Sequence, residues 1–165
     1  MELYSLGVSH HDAPVPVREA YAMDAGRAGL VTERLGVHAE AVVLSTCNRT
    51  EFYLMAETAE AALRAVAAGV GTDAPGGALV TRAGAEAARH LFRVACGLDS
   101  LMVGETEVLG QVKDAYQLAC ARGRVGRTLH KLFQAAFRTG KAVRSGTAIT
   151  RGAVSVGAAA VELAE

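Results

Sequence analysis

Among the chain's three cysteines, Cys47, Cys96 and Cys120, one stands where a thiol could act as a nucleophile. Cys47 opens the tetrad Cys47-Asn48-Arg49-Thr50, with Thr46 before it, between two runs that read as strands, 40 to 46 and 51 to 57. A guanidinium beside a thiol raises its thiolate fraction, and the thiolate is the attacking species. Cys96 and Cys120 fall inside Ala- and Leu-rich stretches with helical spacing, where a cysteine serves as a small apolar side chain. An odd number of cysteines without a C-x-x-C pair argues against a disulfide framework or a zinc site, and no H-E-x-x-H occurs among the five histidines. No metal is expected.

His90 is one residue from the apolar row Leu91, Val94, Ala95 and Leu98, at the edge of the buried face of a helix. An imidazole there suits general acid or base work near neutral pH, and it equally suits a hydrogen-bonded structural role. The segment Gly97-Leu98-Asp99-Ser100-Leu101-Met102-Val103-Gly104-Glu105 is rich in turn residues between two helices, where polar groups can converge on a pocket.

Charge is distributed unevenly although its sum is zero. Residues 1 to 110 carry 14 acidic against 8 basic side chains, whereas residues 121 to 151 carry eight basic ones and no acid. Arg124, Arg127, Lys131, Arg138 and Lys141 lie opposite the apolar row Leu129, Leu132, Phe133, Ala136, Phe137 and Val143 of one helix. An aligned basic stripe fits a phosphate backbone, and it also fits a plain solvated face.

The elements that must position these groups follow from periodicity. Tyr4, Leu6 and Val8 alternate with Ser5 and Gly7, which predicts a strand over 3–9 with one face on the core. A helix over 17–36, broken near Asp24 to Gly26, leads to the two strands around Cys47. A helix over 58–70, a loop at 73–77 and a short strand over 78–82 follow. The order β-α-β-β-α-β predicts an α+β, ferredoxin-like split βαβ unit, a four-stranded antiparallel sheet with helices on one face. Helices over 84–97, 107–122 and 125–145 would make a helical subdomain, and a further helix begins near 153. The expected division is 1–83 for the sheet subdomain carrying the nucleophile, 84–150 for the helical subdomain, and 151–165 for the start of a connecting helix. At 165 residues and 51% hydrophobic the chain can bury a core. With no apolar run of about 18 residues and no leader-like start, it reads as cytoplasmic and without a membrane partner.

Taken together, several segments resemble one family. They are Gly7-Val8-Ser9-His10-His11 with Ala13-Pro14, Ser45-Thr46-Cys47-Asn48-Arg49-Thr50-Glu51, His90-Leu91-Phe92-Arg93-Val94, Gly97 to Glu105, and Leu109-Gly110-Gln111-Val112-Lys113. The chain resembles the N-terminal catalytic domain of glutamyl-tRNA reductase over nearly its whole length. That resemblance implies a partner, glutamyl-tRNA, and a reaction in which Cys47 attacks the aminoacyl ester to form a thioester. NADPH then reduces this to glutamate-1-semialdehyde for tetrapyrrole biosynthesis. It implies His90 as the acid, and Thr46, Asn48, Arg49, Ser100, Glu105, Thr106, Glu107 and Gln111 as the lining of the glutamate pocket. Arg49 would hold a carboxylate by two parallel bonds, and Arg124, Arg127, Lys131 and Arg138 would meet the tRNA backbone. Thr106 and Glu107 stand where the family usually reads Pro-Gln.

The family's NADPH-binding and C-terminal dimerisation domains have no counterpart here, and no G-x-G-x-x-G follows a strand. The resemblance therefore implies a chain that is monomeric or weakly associating and that hydrolyses the ester instead of reducing it. A non-catalytic tRNA- or partner-binding module of the same fold is the alternative, and a thiol hydrolase of small esters is a third reading with no use for the basic stripe.

Overall fold

The structure is a computed structural model that describes residues 1–36, 39–71 and 78–150. The expected helix from 153, the whole of the expected loop at 73–77, and Arg151 lie outside the described residues. The elements run β1 (Glu2–Ser9), α1 (Val15–Tyr21), α2 (Ala25–Leu35), β2 (Ala41–Ser45), β3 (Arg49–Ala56), α3 (Ala59–Val70), β4 (Val80–Ala83), α4 (Gly84–Ala95), α5 (Glu107–Ala121) and α6 (Arg127–Gly146). The strands form one antiparallel sheet in the order β2-β3-β1-β4. This is the split βαβ order expected from the sequence.

Local chemistry explains the boundaries. Asp24 ends the first helical stretch and restarts it, because its carboxylate accepts the Arg27 N–H at 2.7 Å as an N-cap. Thr58 does the same for α3, accepting from Ala61 N at 3.2 Å. After α4, Gly97 adopts φ 74° and donates to Val94 O, while Leu98 donates to Arg93 O, both at 2.9 Å. This left-handed stop turns the chain sharply and aims Asp99 back at the sheet.

The sheet is covered on both faces. On one, Tyr4, Leu6 and Val8 of β1 and Phe52 and Leu54 of β3 pack with Val31 and Leu35 of α2 and Val66 and Val70 of α3. On the other, Val42 and Leu44 of β2 and Tyr53 of β3 pack with Leu91, Val94, Val112, Leu129 and Phe133 from α4, α5 and α6. Tyr53 meets the Phe133 ring edge-on at 5.7 Å, and Phe133 stacks on Tyr116 at 5.6 Å. The sequence led us to expect helices on one face and one core-facing side of β1. The structure buries Ser5 and Ser9 as well, because residues 84 to 146 lie on the second face and share a core with it.

Candidate active site

Cys47 is exposed at the tip of the β2–β3 connection. Thr46 closes this turn: its Oγ1 accepts from the backbone N–H groups of Asn48 and Arg49 at 3.2 Å each, and its own N–H donates to Arg49 O at 2.8 Å. The β1–α1 loop is tied alongside by His10 N–H to Asn48 O at 3.0 Å. A cavity of about 410 Å³ opens here, lined by Val15, Arg18, Glu19, Ala22, Thr46, Cys47, Asn48 and Arg49.

Arg49 differs most from its sequence reading. It is the first residue of β3 and not part of the loop, opposite Ser9 of β1, and it is buried. Alternation along β3 puts Arg49, Glu51 and Tyr53 on the face that α4 covers. Arg49 Nη1 donates to Glu51 Oε1 at 2.9 Å and to Asp99 Oδ2 at 3.0 Å, and Nη2 donates to the Asp99 carbonyl. The guanidinium expected to hold a substrate carboxylate is thus engaged by two carboxylates of the chain itself.

Glu51 is the hub. Its Oε1 also takes a hydrogen bond from His90 Nε2 at 2.8 Å, and its Oε2 takes one from Tyr53 OH at 2.5 Å. Burial alone would push this carboxyl up. The His90 bond, the Arg49 charge and the Tyr53 hydroxyl outweigh it and bring Glu51 down to about 2. Tyr53, buried and facing that carboxylate, is pushed well above the ordinary tyrosine value. His90 is buried on α4 and does not line the Cys47 cavity. It is linked to the nucleophile's loop through Glu51 and Arg49. Asp99 also lies 3.7 Å from Arg93 Nη2 and 4.0 Å from His11 Nε2. The neighbouring His10 is pushed below its ordinary value by burial, with the charges of His11, Arg49 and Arg18 adding to it against Asp99.

The remaining expected pocket residues are spread more widely. Ser100 is buried beside Asp99 with an Oγ that has no partner. Gln111 lines a second cavity of about 250 Å³ with Met23, Asp24, Ser45 and Asp114. Glu105 and Thr106 offer their carbonyls to Arg144 of α6, each at 2.9 Å, and Glu107 is exposed in the first turn of α5. Sequence reasoning assigned no role to Arg18, Glu51 or Asp99. Period-2 alternation in β3 was a signal for Glu51, whereas Asp99 and Arg18 needed the tertiary structure.

The basic stripe divides. Arg124 is half-buried, donates to Gly36 O at 3.0 Å and packs its stem on that glycine, so it ties the α5–α6 connection to the end of α2. Arg122 pairs with Glu33 at 2.6 Å. Arg127, Lys131, Arg138 and Lys141 are exposed and have no acidic partner among the described residues. The α6 N-terminus is itself occupied by Glu40, whose carboxylate accepts from Thr128 N and Leu129 N at 3.2 and 2.6 Å.

The described residues do not form a dinucleotide site of the Rossmann kind. The sheet is antiparallel and lacks a crevice at the carboxyl ends of parallel strands. The one helix that directly follows a strand, α4, has the Glu2 carboxylate against Gly84 at its start, where a phosphate would have to lie. Among the described residues, no group of three or more His, Cys, Asp or Glu side chains could hold a metal ion, and no helix is long and apolar enough to cross a membrane.

Comparison with known proteins agrees with this geometry. Residues 6–147 match the family model described as glutamyl-tRNAGlu reductase, N-terminal domain. Proteins named glutamyl-tRNA reductase from Xanthomonas axonopodis pv. citri and Stenotrophomonas maltophilia are 47% and 46% identical over the whole chain. The solved glutamyl-tRNA reductase from Methanopyrus kandleri superposes with a TM-score of 0.77 at 41% identity over 99% of the chain. The chain spans 39% of the length of each of these three relatives. With its family model, sequence relatives and fold in agreement, the chain belongs to the glutamyl-tRNA reductase family and corresponds to its N-terminal domain.

Proposed function

We propose that this chain carries the acyl-transfer step of a glutamyl-tRNA reductase, with Cys47 as the nucleophile. The observation that carries the reading is the placement of Cys47: an exposed thiol on a braced turn, at a cavity with two arginines in its lining. Cys96 is buried, and burial pushes its thiol up. Cys120 is exposed on α5 and lines neither the Cys47 cavity nor the one containing Gln111.

In this proposal Cys47 Sγ attacks the ester carbonyl carbon, the bond from that carbon to the ribose oxygen breaks, and a thioester remains. The proton given up by the thiol and the proton taken up by the ribose oxygen balance, so no co-reactant is needed. His90 is assigned as the proton carrier, although it does not line the Cys47 cavity and is linked to the nucleophile's loop through Glu51 and Arg49. Glu51 is ionised and can only accept, so His90 Nε2 carries the hydrogen and Nδ1 is the nitrogen without it. Ser100 Oγ and Asn48 are assigned to neutral contacts with the glutamyl group, Gln111 to the adjoining cavity, and Glu105 to the substrate ammonium. Reduction of the thioester in the whole enzyme is assigned to NADPH.

The test is incubation with glutamyl-tRNA followed by intact-protein mass spectrometry. The wild-type chain should gain one glutamyl mass on Cys47, and Cys47→Ser should gain none. His90→Asn should slow adduct formation by about 10²-fold, the ordinary size of general acid–base assistance. Adduct retained in Cys47→Ser would remove the nucleophile assignment.

A further inference from the structure

The cavity at Cys47 contains a cation that the acyl-transfer chemistry above leaves unused. Arg18, on α1, lines it together with Cys47. Among the described residues its one hydrogen bond is a long one, Nη1 to Cys47 O at 3.4 Å, and its Nε is buried without a partner there. Glu19 shares the lining, but its side chain is exposed and forms no ion pair with Arg18. The other arginine in the lining, Arg49, is neutralised by Glu51 and Asp99. Arg18 is therefore the cation of this lining that no carboxylate holds within ion-pair distance, with the Glu19 carboxylate sharing the cavity.

We propose that Arg18 is the anion anchor of the Cys47 cavity, its guanidinium receiving a carboxylate or phosphate oxygen of the molecule that Cys47 attacks. The geometry suits the task. One edge of the fork already faces the Cys47 backbone, so an oxygen bound by the remaining N–H groups would sit beside the thiol. Glutamyl-tRNA offers two sources of such an oxygen, the glutamyl side-chain carboxylate and the last phosphodiester of the acceptor end. The proposal rests on Cys47 being the nucleophile, and its test is separable from that reading.

The 165-residue chain is alkylated in parallel with anionic iodoacetate and neutral iodoacetamide, and modification of Cys47 is followed by peptide mass spectrometry. With Arg18 as anchor, the iodoacetate-to-iodoacetamide rate ratio at Cys47 should exceed that of N-acetylcysteinamide by about fivefold, as expected for one near unit charge. The excess should vanish in Arg18→Gln and persist in Arg18→Lys. A wild-type ratio equal to that of the free thiol overturns the proposal without any variant, and so does an unchanged ratio in Arg18→Gln. Neither readout uses tRNA, so a failed acylation would count only against the nucleophile reading. The two sources separate with 3′-O-glutamyl-adenosine, which has the carboxylate and no phosphate. If Arg18→Gln raises the half-saturating concentration for both this ester and glutamyl-tRNA, the carboxylate is the ligand. A rise with glutamyl-tRNA alone identifies the phosphate, and a rise with neither overturns the anchor.

Discussion

Glu51 of β3 accepts a hydrogen bond from His90 of α4 at 2.8 Å across 39 residues of sequence, and the same oxygen takes Arg49 Nη1 at 2.9 Å. One buried carboxylate thus sets the ring orientation of the histidine and the position of the residue two places after the nucleophile. Its carboxyl falls from 4.5 to about 2 on folding. A carboxyl depressed by folding contributes stability that is full above its unfolded value and is lost as pH falls through its folded value. Glu51 therefore stabilises the chain above pH 4.5 and ceases to do so as pH approaches 2. Glu51→Gln should cost about 3–5 kcal/mol at neutral pH, because a buried cation loses a charged partner. It should also flatten the acid side of the Tm profile. A slope below pH 4.5 identical to the parent's would mean that Glu51 is not the group titrating there.

Arg49 joins two segments 50 residues apart, since it holds Asp99 as well as Glu51. Lysine keeps the charge and loses the fork. Arg49→Lys should cost at least about 1.5 kcal/mol, the lower end for a hydrogen bond to a charged group. The loss should show locally as faster amide exchange over residues 97 to 105. Uniform acceleration through the whole chain would instead indicate that the bridge does not anchor that segment in particular.

Gly7 of β1 pairs with Glu51 of β3. A methyl group at Gly7 would lie 2.6 Å from Thr50 O and 2.8 Å from Glu51 Cγ, whereas one at Gly110 of α5 would meet nothing within 4 Å. Gly7→Ala should lower stability by about 1–3 kcal/mol through overpacking. Gly110→Ala should raise it by about 0.5–1 kcal/mol through helix propensity. Urea denaturation measures both, and like signs for the two variants would contradict the packing described here.

Arg127 and Lys131 lie on the exposed face of α6 without acidic partners among the described residues. Their reversal to Glu should weaken tRNA binding and reduce the slope of log affinity against log salt by about 2, one unit per lost phosphate contact. Both side chains are exposed on α6, so the fold should survive. Fluorescence anisotropy over a salt series gives both quantities. An unchanged slope would mark the face as merely solvated.

The strands, the helices and the position of Cys47 were legible from local patterns, because alternation, capping residues and glycine stops act within a few residues of one another. Asp24 and Thr58 set helix starts by bonds to backbone three residues ahead, and the two-residue period of the strand expected over 51–57 puts Glu51 and Tyr53 on one face, whereas Arg49 was expected in the loop and joins them as the first residue of β3. Only the tertiary structure decided which charges neutralise which. Asp99 reaches Arg49 because the chain turns at Gly97 and the sheet receives α4 on its second face. That pairing removes Arg49 from the free cations of the cavity and leaves Arg18. Arg124 and Arg144 read as part of a basic stretch, yet Arg124 holds the carbonyl of Gly36 and Arg144 those of Glu105 and Thr106. A charged residue's type can be read from the sequence. Whether its charge meets solvent, a backbone carbonyl or a carboxylate depends on long-range packing, because a buried or docked ion needs partners that neighbouring residues do not supply.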